Sequence, residues 1–251
     1  MNTSRALLSF LIPFSVASAL AADHGHHWTY AGESGPTHWA AMDKENESCG
    51  IGKLQSPIDI KISSAHVADL PAIGFDYRAS PLNLIDNGHT VQVNYAPGSS
   101  ITVDGARYEL VQFHFHKPSE EKIDGKAFDM VAHLVHKDAQ GHLAVVAVPL
   151  VRGHENRLIA TLWKNLPREK EHEARLDSVS INAADLLPQK RGYFAFEGSL
   201  TTPPCSEGVR WFVLKQPTSI STAEIAAFGK LYPMNARPVQ SLNGREVRAS
   251  K

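Results

Sequence analysis

The sequence predicts a mainly β protein (α+β by some schemes): a single domain on a mostly antiparallel sheet, with a few short peripheral helices. Three features of the chain point to it. Runs rich in β-branched and aromatic residues recur, separated by Gly, Pro, Asn and Asp. They follow one another through short loops, which suits antiparallel neighbours, since parallel strands need long crossovers. No Ser/Gly tract, long charge block or repeat marks a linker, so residues 23–251 are expected to form one domain.

Residues 1–22 are expected to lie outside the fold. A basic start at Arg5, an apolar stretch from Ala6 to Leu20 and small residues at Ala19 and Ala21 read as a cleavable secretory signal. The apolar stretch is too short, and too broken by Ser and Pro, to span a membrane well. No later segment reaches membrane length, so the mature protein should be periplasmic or secreted, with no membrane span. Cleavage after Ala21 would expose Ala22-Asp23-His24, whose amine, amides and imidazole suit square-planar Cu(II) or Ni(II); cleavage after Ala22 would remove that site. A formal charge of −1 with scattered Lys and Arg gives no footprint for nucleic acid. No surface pattern marks an oligomer interface. Cys49 and Cys205 are the only cysteines, and in an oxidising compartment such a pair reads as a disulfide, the alternative being two buried thiols.

The first strong strand signals are HTVQVNY (89–95) and RYELVQFHFH (107–116). In the second, alternation turns His114 and His116 to one face and Phe113 and Phe115 to the other. Asp124-Gly125 is a hairpin signal that pairs Ile123 with Lys126. If no bulge shifts that register, His133 in FDMVAHLVH (128–136) stands opposite His116, with His114 as its diagonal neighbour. His136 faces the other way and reads as structural. Three convergent imidazoles without a fourth ligand suit a zinc ion that keeps one open position. Copper would bind such nitrogens more strongly, so the metal is inferred from the arrangement.

LAVVAVPLV (143–151), GYFAFEGSL (192–200) and GVRWFVLKQ (208–216) supply further strands. A helix is expected in ENRLIATLWKN, ending before Pro167, and another from Ser221, where Glu224 completes a capping box and Pro233 stops the run.

Five ordered blocks, QSPIDI (55–60), NGHTVQV (87–93), QFHFH (112–116), HLVH (133–136) and GSLTTPPC (198–205), resemble the α-class carbonic anhydrases of the exported bacterial type. The resemblance implies a large central sheet carrying zinc on His114, His116 and His133, and reversible hydration of carbon dioxide to bicarbonate and a proton by zinc-bound hydroxide. It implies that Thr201 orients the hydroxide and passes its own hydrogen bond to Glu120. It also implies that Val135, Val145, Leu200, Thr202, Val209 and Trp211 line the substrate pocket. His89 would shuttle the proton, with Tyr30, Asn87, Gln92 and Gln112 ordering the solvent network. Sulfonamides or anions are the inhibitors it implies at zinc, and Pro204 is expected to be cis.

Two positions depart from that pattern. Glu121 stands where the family usually carries a histidine, and Val131 where it usually carries a glutamate that holds the ring N–H of the third ligand. Valine cannot accept a hydrogen bond, so a more loosely held zinc is expected. Rival readings are a non-catalytic relative, which the intact ligand set argues against, and a metal scavenger, suggested only by the histidine-rich DHGHH (23–27).

Overall fold

Alternating apolar residues on successive strands merge into one thirteen-stranded sheet in the computed structural model, which describes residues 27–167 and 169–251. The expected signal segment and the Ala22-Asp23-His24 site fall outside the described residues. The main strands are β1 (His66–Ala68), β2 (Ser80–Asp86), β3 (Val91–Asn94), β4 (Ala106–His116), β5 (Met130–Lys137), β6 (Leu143–Arg152), β7 (Glu173–Ile181), β8 (Tyr193–Ser199), β9 (Glu207–Leu214) and β10 (Arg248–Ser250). They lie side by side in the order β7-β2-β3-β4-β5-β6-β9-β8-β10-β1. Antiparallel pairing dominates, as expected. The exceptions in this sheet are β6 with β9, β6 with the short strand Thr218–Ile220, and β10 with β1, which are parallel.

Every strand run read from the sequence is a strand. Two long strands, β2 and β7, were not among those runs. β7 is half exposed, and its pairing with β2 is broken by a register shift, so its alternation is weak in sequence. The two expected helices are α1 (Arg157–Lys164), capped by Asn156, and α2 (Thr222–Leu231), which carries the full Ser221/Glu224 capping box.

The helices cover the face bearing Phe113 and Phe115. Leu158, Ile159, Leu162, Ile225 and Phe228 are buried there in one cluster with both phenylalanines, and Trp163 packs edge-on against Phe115 at 5.1 Å between ring centroids. The opposite face carries His114, His116 and His133.

The register there differs from the expectation. The Asp124-Gly125 hairpin pairs Ile123 with Lys126 as predicted, but His133 pairs with His114, and His116 with Val131. Residues 117–121 on one side face only 128–130 on the other, which slides the register by two positions between the hairpin and the β4–β5 pair. An even slip preserves the face, since side chains alternate with a period of two. The three histidines therefore still converge.

Cys49 and Cys205 are bonded. Ser56 and Ser199 exchange backbone-to-hydroxyl hydrogen bonds of 2.9 and 3.1 Å, and Gln55 donates to the Cys205 carbonyl at 3.0 Å. These links tie QSPIDI to the loop after β8, where Pro204 is cis as expected. The disulfide spans 156 residues of sequence. Cys49→Ser/Cys205→Ser is therefore expected to lose about 2–5 kcal/mol of unfolding free energy, measured by urea denaturation; an unchanged midpoint would show that the noncovalent links already fix the loop.

Candidate metal centre

Burying an imidazole with both nitrogens unsatisfied is costly, so the partner of each ring nitrogen decides what the other can do. His114 Nδ1 is 2.8 Å from Gln112 Oε1, His116 Nδ1 is 2.7 Å from the Asn235 carbonyl, and His133 Nε2 is 3.0 and 3.2 Å from the two oxygens of Glu121. Each ring thus donates through one nitrogen to an acceptor. The remaining nitrogens, Nε2 of His114 and His116 and Nδ1 of His133, are the ones left to meet a metal. The donor atoms of the cluster lie within 4.8 Å of one another. His116 Nε2 is buried without a hydrogen-bond partner, the mark of an atom meant for another ligand.

His116 and His133 are almost wholly buried, whereas His114 is partly exposed, so the cluster opens to solvent on the His114 side. Burial, then the neighbouring His133, lowers His114 to about 3, and the same causes hold His116 well below its usual value. Both are therefore neutral, as metal ligands must be. Burial would also lower His133, but the Glu121 carboxylate outweighs it and raises the pKa. Three neutral-capable imidazoles with one open side fit zinc.

Val131 offers His133 no acceptor, and the ring's Nε2 faces the Glu121 carboxylate. Val131 is buried in an apolar cluster with Ile58, Ile60 and Val145, and Asp129 is engaged by the Arg152 backbone N–H at 2.9 Å.

Glu120, next in sequence to Glu121, faces the other side of His133. Its Oε2 lies 3.8 Å from His133 Nδ1 and 3.5 Å from His116 Nε2, while Oε1 accepts from the Arg237 backbone N–H at 2.7 Å. Burial raises its carboxyl to about 7; His133, the Thr201 hydroxyl and the Arg237 N–H pull the other way. Thr201 is buried beside it. Arg237 also donates to Gln55, to the Ser56 carbonyl and to the Cys49 carbonyl, so one guanidinium bridges the disulfide segment while its backbone holds Glu120.

Val135, Val145, Leu200, Val209 and Trp211 all join one apolar cluster next to the histidines, with Trp211 edge-on to His133 at 4.9 Å. Thr202 is only partly buried, and its carbonyl closes the turn to Cys205. Asn87 caps the turn at His89 and Thr90 and reaches Gln92, which bonds to Asn94. Tyr30 lies near Glu120, and burial, then that carboxylate, raises its phenol well above the usual value.

His89 is stacked flat on Trp28, with centroids 3.6 Å apart and planes 7° from parallel; His27 stacks at 5.1 Å. Burial, then His27, lowers the His89 pKa to about 4. Sequence patterning alone does not mark Trp28, Glu121, Asn235 or Arg237 as contributors to the site. Asn235 and Arg237 lie in MNARP (234–238), inside the region of resemblance, but no periodicity links them to the histidines.

A family model described as eukaryotic-type carbonic anhydrase matches residues 34–251. A carbonic anhydrase of Klebsiella pneumoniae is 45% identical over 226 residues, covering 88% of this chain and 90% of its own. One of Nostoc sp. (strain PCC 7120 / SAG 25.82 / UTEX 2576) is 42% identical over 224 residues, covering 88% of this chain and 85% of its own. Among solved structures, the α-carbonic anhydrase of Thermovibrio ammonificans in complex with sulfanilamide aligns with a TM-score of 0.86 at 42% identity, covering 90% of this chain and 99% of that one.

The Trp28–His89 stack has a direct readout. In NMR titrations His89 is expected to titrate near about 4, and Trp28→Ala to move it up toward the ordinary histidine value near 6.5, because exposure favours the charged ring. An unchanged midpoint in Trp28→Ala would show that the stack does not set it.

Proposed function

The chain belongs to the eukaryotic-type carbonic anhydrase family, and from that premise we propose that it hydrates carbon dioxide reversibly to bicarbonate and a proton, with zinc held by His114, His116 and His133. The observation that carries this is the set of three imidazoles that converge on one point, each tied back through its other nitrogen. A bound zinc ion supplies Lewis-acid chemistry, acidifying a water in its open position so that a nucleophile exists at neutral pH, chemistry for which carbonic anhydrases are the standard example.

The chain's own groups do the rest. Thr201 accepts a hydrogen bond from the nucleophile and donates its own O–H to Glu120, which aims the attacking lone pair. Glu120 is kept available for this by the Arg237 N–H on its other oxygen. Val135, Val145, Leu200, Val209 and Trp211 offer carbon dioxide an apolar wall, which suits a substrate without a strong polar handle, and Thr202 stands at its edge. Gln112 fixes His114, while Tyr30, Asn87 and Gln92 order water between the centre and His89. His89 passes the proton to buffer. In the Trp28 stack, burial and then His27 lower its pKa to about 4, so it holds a proton only weakly at neutral pH. Sulfonamides and anions would compete at the same open position.

We place this as one catalytic domain over 23–251 behind an export signal. The disulfide supports export to an oxidising compartment, and no helix among the described residues is long and apolar enough to cross a membrane.

His116→Ala is expected to lose bound zinc, read by metal analysis, together with carbon dioxide hydration; full activity in that variant would overturn the assignment. His89→Ala is expected to slow turnover in dilute buffer by roughly 10-fold or more and to recover on adding imidazole, since only proton export is impaired. A rate loss that imidazole leaves untouched would remove His89 from that role.

A further inference from the structure

We propose that Glu121 is the positioning residue for the third metal ligand, taking over from the turn after β4 the task that a carboxylate at position 131 would perform from within β5. The proposal rests on the zinc reading above. It joins the two departures from the family pattern into a single exchange.

The geometry is specific. Among the described residues, the almost wholly buried Glu121 carboxylate has no polar side-chain partner except His133 Nε2, which is hydrogen-bonded to Oε2 at 3.2 Å and lies 3.0 Å from Oε1, itself without a hydrogen bond. Consecutive side chains of an extended segment point apart, yet Glu120 and Glu121 both reach His133, because they approach its ring from opposite nitrogens. The turn that aims them is pinned. The Ser119 hydroxyl donates to the Glu121 carbonyl and accepts from the Phe128 N–H, both at 2.8 Å, and the Ser119 N–H donates to the Phe128 carbonyl at 3.1 Å. Lys122 N–H then reaches the Ile58 carbonyl at 3.2 Å.

At position 131 the isopropyl group fills an apolar cluster with Ile58, Ile60, Val145 and Ala147. That cluster therefore holds no carboxylate, and the buried acids beside the three histidines are Glu120 and Glu121. By accepting from Nε2–H, Glu121 fixes the tautomer in which Nδ1 of His133 is free for the metal, and Trp211 closes the edge of the ring against rotation.

The test compares zinc release into excess dipicolinate from the zinc-loaded wild-type protein, Glu121→Ala, Glu121→Gln and Glu121→Ala/Val131→Glu. Glu121→Ala is expected to release zinc roughly 10 to 100-fold faster than wild type. Glu121→Gln, which keeps the shape and a neutral acceptor, should fall between them. Returning the carboxylate at position 131 should slow release again, which a merely structural role for Glu121 would not produce. In parallel, the downfield His133 Nε2–H proton resonance of the loaded protein should shift in Glu121→Gln. Wild-type release rates in Glu121→Ala and Glu121→Gln, with that resonance unmoved, would overturn the role of Glu121 while leaving the zinc site standing. A wild-type protein that takes up no zinc would overturn the zinc reading and this inference with it. Should the double variant fail to fold, the Glu121→Gln rate and resonance decide.

Discussion

Three crowded imidazoles, two of them wholly buried, can share one corner only if each spends one nitrogen on a protein acceptor and keeps the other for something else. That condition organises much of what surrounds them. It explains why an amide oxygen at 112, a main-chain carbonyl at 235 and a carboxylate at 121 stand where they do, although they come from a strand, a late loop and a turn. It also explains the asymmetry of the sheet. One face is filled with aromatic and aliphatic side chains beneath two helices, while the other carries the polar cluster against a smaller apolar wall.

The acids beside the cluster divide the work by where their oxygens point. Glu120 sits at the open nitrogens and is fixed by an N–H from the last part of the chain, whereas Glu121 sits behind one ring and touches little else that is polar. Neither position is self-supporting. The Arg237 guanidinium gathers Gln55 and the carbonyls of Ser56 and Cys49, so the segment that precedes the first strands becomes part of the scaffold for Glu120.

Much of this was legible in the sequence because it is carried by short periods. The alternation in QFHFH placed His114 and His116 on one face. Even the displaced hairpin register left His133 on that face, since a slip of two preserves parity. Of the apolar cluster, Val135 and Leu200 lie in blocks shared with the family, whereas Val145, Val209 and Trp211 lie in strand runs outside them. What escaped were contacts between residues far apart in the chain. Asn235 lies 119 positions from His116, and nothing local signals that its carbonyl will meet that ring. Glu121 escaped for a different reason. Carrying roles over position by position marks a missing side chain as a loss, but an acceptor is defined by where its oxygen ends, and a neighbouring backbone can deliver it. The strand β7 was missed because its outward half is polar enough to blur the alternation.

Asn235 serves several masters. Its carbonyl receives the His116 N–H, its amide nitrogen grips the carbonyls of His89 and Phe115, and its side-chain oxygen takes the Lys117 N–H. The turn bearing the stacked histidine and the strand bearing two ligands are thus moored to the same side chain. In evolutionary terms such a residue is pleiotropic. A lineage that sought to retune the outer histidine by loosening its turn could not do so here without also disturbing a ligand at the centre, so change at the rim must be accommodated through Trp28 and its neighbours instead.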